Sequence, residues 1–387
     1  MREAEANHRR RLWFGADWEP VLAFVFSRLL IWAVVCLALR WIPRGQFPIY
    51  HHGDALWNAL FRWDANWYAT IAVAGYEYVP GQHSNVGFFP LYPLCLAAVR
   101  ALTGTDVALA GFIASNFFLL TAAILLRRLV ALDFPAPSRV PGRTVWLLLL
   151  WPVSFFYSAP YTESLFLLLS ISAFLAARRG EWALAGIAGA LATATRANGV
   201  IIFIPLFYEA LLAWRNRRAS TRLSVRWENI RRSPFWVLVV PFGLLAFIIY
   251  LQVRFGDPLA FMHAYEVWGR RFASPWFALR NAWLVHPPGY GGWFVGTALG
   301  AVLLCILGWR VRLRPSYVFY TAAMLGLLLS QTILEAIPRY ISVLFPLQMA
   351  IAAATVKTEG LYLAALGLST ALLSLCLTLY TCGYWMT

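Results

Sequence analysis

The sequence predicts an all-α fold, a polytopic bundle of membrane-spanning helices, and two features carry that expectation. Of the 387 residues, 61% are hydrophobic and only 13% charged, with a mean hydropathy of +0.64. Apolar segments of about 20 residues, the length that crosses roughly 30 Å of hydrocarbon, recur from end to end. The basic residues fall in short clusters between those segments rather than on one face of a domain. The net charge of +15 therefore speaks for topology and not for nucleic acid.

The first apolar segment, 20–41, follows Arg9, Arg10 and Arg11, and no small-residue cleavage site comes after it. It reads as an uncleaved first span with a cytoplasmic N-terminus. Further spans are expected near 107–126, 143–159, 160–177, 182–196, 199–214, 234–253, 290–309, 316–334, 340–356 and 360–380, about eleven in all. This threading places 21 Lys and Arg on the cytoplasmic side, 10 on the far side and Arg28 within the first span. The stretch 88–102 is apolar over only 15 residues and carries Pro90, Pro93 and Arg100, so it is expected to re-enter or lie at the interface. One transmembrane domain, 1–387, results. Its two long non-spanning pieces, a first outer loop at 42–106 and a second at 254–289, both lie on the far side, where chemistry is expected. The five cysteines are odd in number and show no CxxC pairing, so neither a disulfide framework nor a metal site is expected.

Within the first outer loop stands RWDANWYATIAVAGY (62–76). Asp54 is a suitable N-cap, and Leu56, Leu60, Trp63, Trp67 and Ile71 recur at helical spacing before Gly75. An amphipathic helix along the outer membrane surface is expected, with Asp64 and Tyr68 on one edge. Asp64 reads either as a solvated carboxylate paired with an arginine or as a functional group held at the headgroup boundary. Trp63 and Trp67 are read as stacking on sugar faces or as anchoring the helix in headgroups.

Three other stretches bring charge to the same face. In SAPYTESLF (158–166), Glu163 opens a span, where the helix dipole alone favours an acid but a polar substrate would also be in reach. In TRANG (195–199), Arg196 interrupts an apolar run from 182 to 214 that is too long for one crossing. In EAIPRYISVLFPL (335–347), Arg339 follows Pro338 at another turn. Either arginine reads as snorkelling to headgroups or as clamping a phosphate. Two carboxylates and two arginines at one face suit transfer from a lipid-anchored phosphate donor to a hydroxyl. Asp64 would act as general base, Glu163 would orient hydroxyls, and Arg196 and Arg339 would hold the donor phosphate. Tyr68, Tyr161, Asn198 and His263 join Trp63 and Trp67 as substrate-binding candidates.

His51 and His52 beside Asp54, and His83, lack the spacing that sets two metal ligands on one helix face, so no protein metal site is assigned. His263 and His286, near Asp257 and Glu266 in the second outer loop, are open between sugar and phosphate contact. No cofactor is expected to be required, while a divalent cation shared between carboxylates and donor phosphate stays open. GxxxxGK[ST] and Rossmann glycine runs are absent, so the sugar is expected to arrive on a lipid.

Those stretches, with GFFPLYPL (87–94), WPVSFFYSAPYTESLFLLLS (151–170), AGIAGALATATRANG (185–199) and IPRY (337–340), resemble the Pig-V type mannosyltransferases, a family that includes GPI mannosyltransferase II and bacterial relatives. The resemblance is dense over 62–199 and thin beyond. It implies a GT-C fold with a catalytic carboxylate in the first outer loop, and an inverting transfer of mannose from polyprenyl-phosphate mannose to a glycan or glycolipid hydroxyl. The family's Trp-Asp pair falls on Trp63 and Asp64, and the Glu of YTES on Glu163. The loops are short, arginine outnumbers lysine 31 to 1, and no KDEL-type ending occurs. A bacterial plasma-membrane enzyme acting on the periplasmic or extracellular face is therefore expected, or one on the lumenal face of the endoplasmic reticulum if the source is eukaryotic. The rival readings are a transporter or lipid flippase, against which the lack of an internal repeat counts, and an assembly subunit whose charges bind a partner.

Overall fold

A computed structural model describes residues 18–43, 45, 56–218, 231–286 and 289–384; His51, His52 and Asp54 lie outside the described residues. Among these there is no β-strand, and a lone antiparallel bridge pairs Phe272 with Gln331. Six helical stretches are long and apolar enough to cross a membrane: α1 (Trp18–Trp41), α4 (Val107–Ala131), Ala197–Arg215, Pro234–Phe255, α12 (Tyr290–Arg310) and α16 (Glu359–Thr381). Shorter apolar helices complete the bundle: α3 (Leu91–Thr103), α7 (Trp182–Thr195), α13 (Pro315–Leu329) and α15 (Phe345–Ala354).

Helix α6 (Glu163–Arg178) is the centre. Twelve of its 16 residues are buried and none is exposed, as expected for a helix that is apolar all round, and it packs between α4 and α7. Its two ends differ in chemistry. At the C-terminal end Arg178 donates to Asp133 at 2.7 Å and to Tyr317 at 3.0 Å. Comparable clasps join Arg314 to Glu209, Arg143 to Glu359, and Arg127 to Glu19. These four arginines, all expected on the cytoplasmic side, are thus tied to carboxylates on other segments of the bundle. The N-terminal end begins at Glu163, which is fully buried.

Several spans are broken where one helix was expected. The stretch 143–159 is helical only as α5 (Val140–Leu149); the chain then runs irregularly, through a 3-10 turn at Ser154–Tyr157, to Thr162. Pro152 explains the stop, since the residue before a proline is driven out of the helical region. The carbonyls freed inside an apolar bundle are satisfied by side chains. Leu149 accepts from Ser154 (2.8 Å) and from the intramembrane Arg28 (3.3 Å), and Leu150 accepts from Ser369 (2.7 Å). The stretch 340–356 likewise divides into α14 (Ile337–Ser342) and α15, with Pro346 behind the break. Helix α3 covers most of 88–102 and rises only about 20 Å, too short to cross.

The helix expected from Asp54 to Gly75 is also divided. A 3-10 turn at Leu56–Leu60 gives way to α2 (Asp64–Ala74), and Trp63 between them takes φ 46°, ψ −114°. A tryptophan in that region costs about 1–3 kcal/mol and persists only where its surroundings hold it. Trp63 packs on Tyr380, ring centroids 4.8 Å apart. The preceding Arg62 is buried and gives its carbonyl to the Tyr161 hydroxyl at 2.7 Å. Asp64 therefore stands at the head of a helix, not midway along one.

Candidate active site

Four chain segments that are distant in sequence meet at the Glu163 end of α6. Helix α2 supplies Asp64, the irregular run ending at Thr162 supplies Tyr161 and Thr162, and the break after α7 supplies Arg196. The short α14 supplies Arg339. The break at Arg196 is enforced locally: its backbone is extended, and Gly199 packs so tightly on α7 that a Cβ there would lie 2.5 Å from the Ala192 carbonyl oxygen.

The four charged side chains expected at one face do converge. Arg339 Nη2 lies 2.7 Å from Asp64 Oδ2, and Arg339 Nε lies 3.5 Å from Glu163 Oε1. Arg196 Nη2 donates to the same Glu163 oxygen, and Arg196 Nε donates to Thr162 Oγ1 at 2.7 Å. The result is a chain of alternating charge, Asp64–Arg339–Glu163–Arg196. Glu163 is 0% exposed and Arg339 6%, whereas the Asp64 side chain keeps 26% of its surface open. Asp64 is the carboxylate of the two that an incoming molecule can reach.

Neither arginine snorkels. Aromatic rings wall them in: Arg339 sits over Tyr161 (5.0 Å) and Tyr340 (5.1 Å), and Arg196 over Tyr340 and Phe166, both at 5.4 Å. Tyr68, one turn after Asp64, reaches Thr162 at 3.4 Å. Burial, and then the charge of Glu163, push its hydroxyl well above the ordinary phenol value, so it remains a neutral donor.

The network is incompletely satisfied. Glu163 Oε2, Arg196 Nη1, Arg339 Nε and Asn198 Oδ1 are buried with no hydrogen-bond partner, four of the nine such side-chain atoms among the described residues. Buried polar atoms are ordinarily paired, and such a concentration marks a place where water or a polar ligand completes the bonding.

The other expected substrate contacts divide. Trp67 stacks on Phe88 (5.8 Å) and meets Trp268 edge-on (5.7 Å), so its ring, like that of Trp63, packs against protein. His263 joins a different group. Its Nδ1 lies 2.7 Å from Asp257 Oδ2, which also accepts from Tyr78 at 2.8 Å, and the three line an open cleft of about 600 Å³ with Glu266 and Arg271. Among the described residues no set of three His, Cys, Asp or Glu is placed to hold a metal, and all five cysteines are free thiols.

Sequence reasoning missed Tyr340 and Arg270. Tyr340 is the shared ring of the site, and Arg270 lies over it at 5.7 Å. Arg270 counted only toward the charge asymmetry; the adjacent Arg270 and Arg271 within 254–289 were the available signal.

Residues 46–224 match the family model described as Mannosyltransferase (PIG-V), a window that includes Asp64, Glu163 and Arg196. The chain is 32% identical over 209 residues to GPI alpha-1,6-mannosyltransferase 2 of Cricetulus griseus, covering 45% of this chain and 40% of that one. It is 32% identical over 152 residues to GPI mannosyltransferase 2 of Cryptococcus neoformans, covering 38% and 35%. The chain thus spans about two fifths of the length of the curated relatives it matches. Among solved structures it is similar to ArnT from Cupriavidus metallidurans, with TM-score 0.50 at 17% identity over 86% of this chain and 59% of that one. It is also similar to the Archaeoglobus fulgidus oligosaccharyltransferase, with TM-score 0.51 at 14% identity over 97% and 57%. These two likenesses show a shared helical fold, and the sequence matches do not favour a transporter. Over residues 46–224, then, a little under half of its length, the chain matches the PIG-V mannosyltransferase model, on a helical fold shared with these two structures.

Proposed function

We propose that the chain is a membrane glycosyltransferase that moves a hexose, most simply mannose, from a polyprenyl-phosphate carrier to a hydroxyl of a lipid-linked or cell-envelope glycan. The observation that carries this reading is the half-open Asp64 at the mouth of an otherwise buried, under-bonded charge network, inside the segment that matches the mannosyltransferase family. In this reading Asp64 takes the proton of the acceptor hydroxyl while the acceptor's oxygen attacks the anomeric carbon from the side opposite the leaving phosphate. The carbon–oxygen bond to phosphate breaks, the anomeric configuration inverts, and polyprenyl phosphate departs. Arg339 and Arg196 offer Nε and Nη1, neither of which makes a hydrogen bond among the described residues, to the charge developing on that phosphate. A phosphate that takes Arg339 also releases Asp64 to the acceptor. Glu163 fixes both guanidiniums, and Tyr68, Tyr161 and Asn198 border the substrates.

The shorter helices are read as broken or partial crossings that bring the bundle to about eleven passes. On that reading 42–106 and 254–289 lie on the periplasmic or extracellular side of a bacterial plasma membrane. The cleft around His263 and Asp257 then opens toward the aqueous acceptor. The test is transfer from polyprenyl-phosphate [14C]mannose into a membrane-lipid extract by purified protein and by Asp64→Asn, with the folding of both checked. Labelled glycolipid from wild type alone supports the reading. Equal transfer by both removes Asp64 from the chemistry, and translocation of lipid without any covalent transfer overturns the enzyme.

A further inference from the structure

Within the proposed site two carboxylates are already matched one to one with two guanidiniums: Asp64 with Arg339, and Glu163 with Arg196. Arg270 is the third guanidinium around the Tyr340 ring, at 5.7 Å, beside Arg339 at 5.1 Å and Arg196 at 5.4 Å. No carboxylate lies within ion-pair distance of Arg270 among the described residues. Among the described residues its side chain makes one hydrogen bond, a long one of 3.3 Å to the neutral Gln331. The cluster before any ligand enters therefore carries one positive charge more than its carboxylates balance. That excess sits on its half-exposed member.

The position of Arg270 is fixed from behind. Gly269 turns at φ 76°, and its carbonyl accepts from Thr332 at 2.6 Å. The Arg271 amide donates to the Thr332 hydroxyl at 3.0 Å, and the Thr332 amide donates to the Arg271 carbonyl at 2.9 Å. Directly beyond this staple the chain exposes large apolar side chains, Phe272 at 81% and Trp276 at 76%. An unbalanced guanidinium on a rigid strip, with exposed aromatic surface beside it, matches a ligand that joins an anionic head to an apolar chain.

We infer that Arg270 is the phosphate-capturing residue of this site, binding the head group of an isoprenoid monophosphate at the site mouth before Arg339 and Arg196 engage it. This rests on the donor class proposed above. A guanidinium already bonded to a carboxylate gains less from a new anion than one that is not, because the existing pair must first be broken; Arg270 has no such pair to break.

Direct binding separates this inference from the activity. The probes are geranylgeranyl phosphate, uncharged geranylgeraniol and inorganic phosphate, titrated into detergent-purified protein and followed by tryptophan fluorescence. Wild type is expected to bind the prenyl phosphate well ahead of both the alcohol and inorganic phosphate. Arg270→Gln should weaken it by roughly 10- to 100-fold, the range for losing a charge-assisted hydrogen bond. Arg270→Lys should lie between the two, and Arg254→Gln, which removes an exposed charge elsewhere in the same region, should match wild type. An Arg270→Gln protein that binds like wild type overturns the inference and leaves the phosphate to Arg196 and Arg339. A wild type that does not distinguish the prenyl phosphate from the alcohol overturns the inference together with the donor class. Should Arg270→Gln not fold, Arg270→Lys at wild-type affinity combined with salt-insensitive binding by wild type also overturns it.

Discussion

Replacing either carboxylate by its amide removes one negative charge from the same network, yet the two changes should fail in different ways. Glu163 is fully buried, accepts from Arg196 and lies 3.5 Å from Arg339. Glu163→Gln leaves two buried guanidiniums facing one carboxylate, and breaking a buried pair from one side costs about 3–5 kcal/mol. Asp64 is 26% exposed and, among the described residues, bonds one guanidinium, at 2.7 Å. Asp64→Asn therefore costs about 1–2 kcal/mol, between the values for exposed pairs and for charge-assisted hydrogen bonds. As the proposed general base, however, Asp64 should account for roughly 10²- to 10⁴-fold in rate. Thermal unfolding of the detergent-purified proteins, read beside sugar transfer, separates the two effects. Asp64→Asn should melt close to wild type with kcat down at least about 100-fold. Glu163→Gln should melt clearly lower and lose activity with its fold. The reasoning is refuted if the order of melting is reversed, or if folded Asp64→Asn keeps more than about a tenth of the wild-type kcat, too much for loss of a general base.

Three further outcomes follow from the same geometry. Glu209 is buried, accepts from Arg314 at 2.5 and 2.7 Å and from Ser316 at 2.6 Å, and lies about 22 Å along its helical stretch from the Arg196 break. Glu209→Gln should lower the melting temperature while leaving kcat of the surviving folded protein unchanged; a fall in kcat at equal folding would contradict the division into a clasped end and a reactive end. Gly199→Val places side-chain atoms against the Ala192 carbonyl, so it should displace Arg196 and sharply reduce the yield of folded protein on size exclusion, and a normal yield with normal activity would show that the turn has slack. The Asp257 carboxyl is partly desolvated, which alone would raise it, but hydrogen bonds from His263, Tyr78 and the Leu259 amide hold it below the usual carboxylate range. A depressed carboxylate contributes stability above its unfolded value of about 4 and loses it as the pH falls through the folded value. Hydrogen exchange around 256–266 should therefore accelerate below about pH 4, and Asp257→Asn should abolish that acid-dependent component.

The sequence alone determined the solvent and the inventory of this protein. Apolar segments of membrane length leave the backbone no choice but helices, because hydrocarbon offers no other partner for its amides, and that much is legible from composition. The charges that survive in so apolar a chain are few enough to be noticed singly, which is why Asp64, Glu163, Arg196 and Arg339 stand out from the sequence itself. Sequence could not tell which carboxylate is sealed and which is open, because exposure depends on what packs above a residue. Glu163 is sealed by Arg196 and Arg339, one 33 and the other 176 positions away. Nor could periodicity reveal that α2 begins at Asp64, since the apolar spacing runs unbroken through Trp63. The break is imposed by Tyr161 holding the Arg62 carbonyl and by Tyr380 against the Trp63 ring, both long-range contacts. The division of 143–159 was signalled by Pro152, but only the packed bundle supplies Arg28, Ser154 and Ser369 to satisfy the carbonyls that the break exposes. Tyr340 as a hub for three guanidiniums is likewise a product of tertiary structure. A tyrosine ring attracts whatever cations the fold brings to it, and sequence carries no record of which those will be.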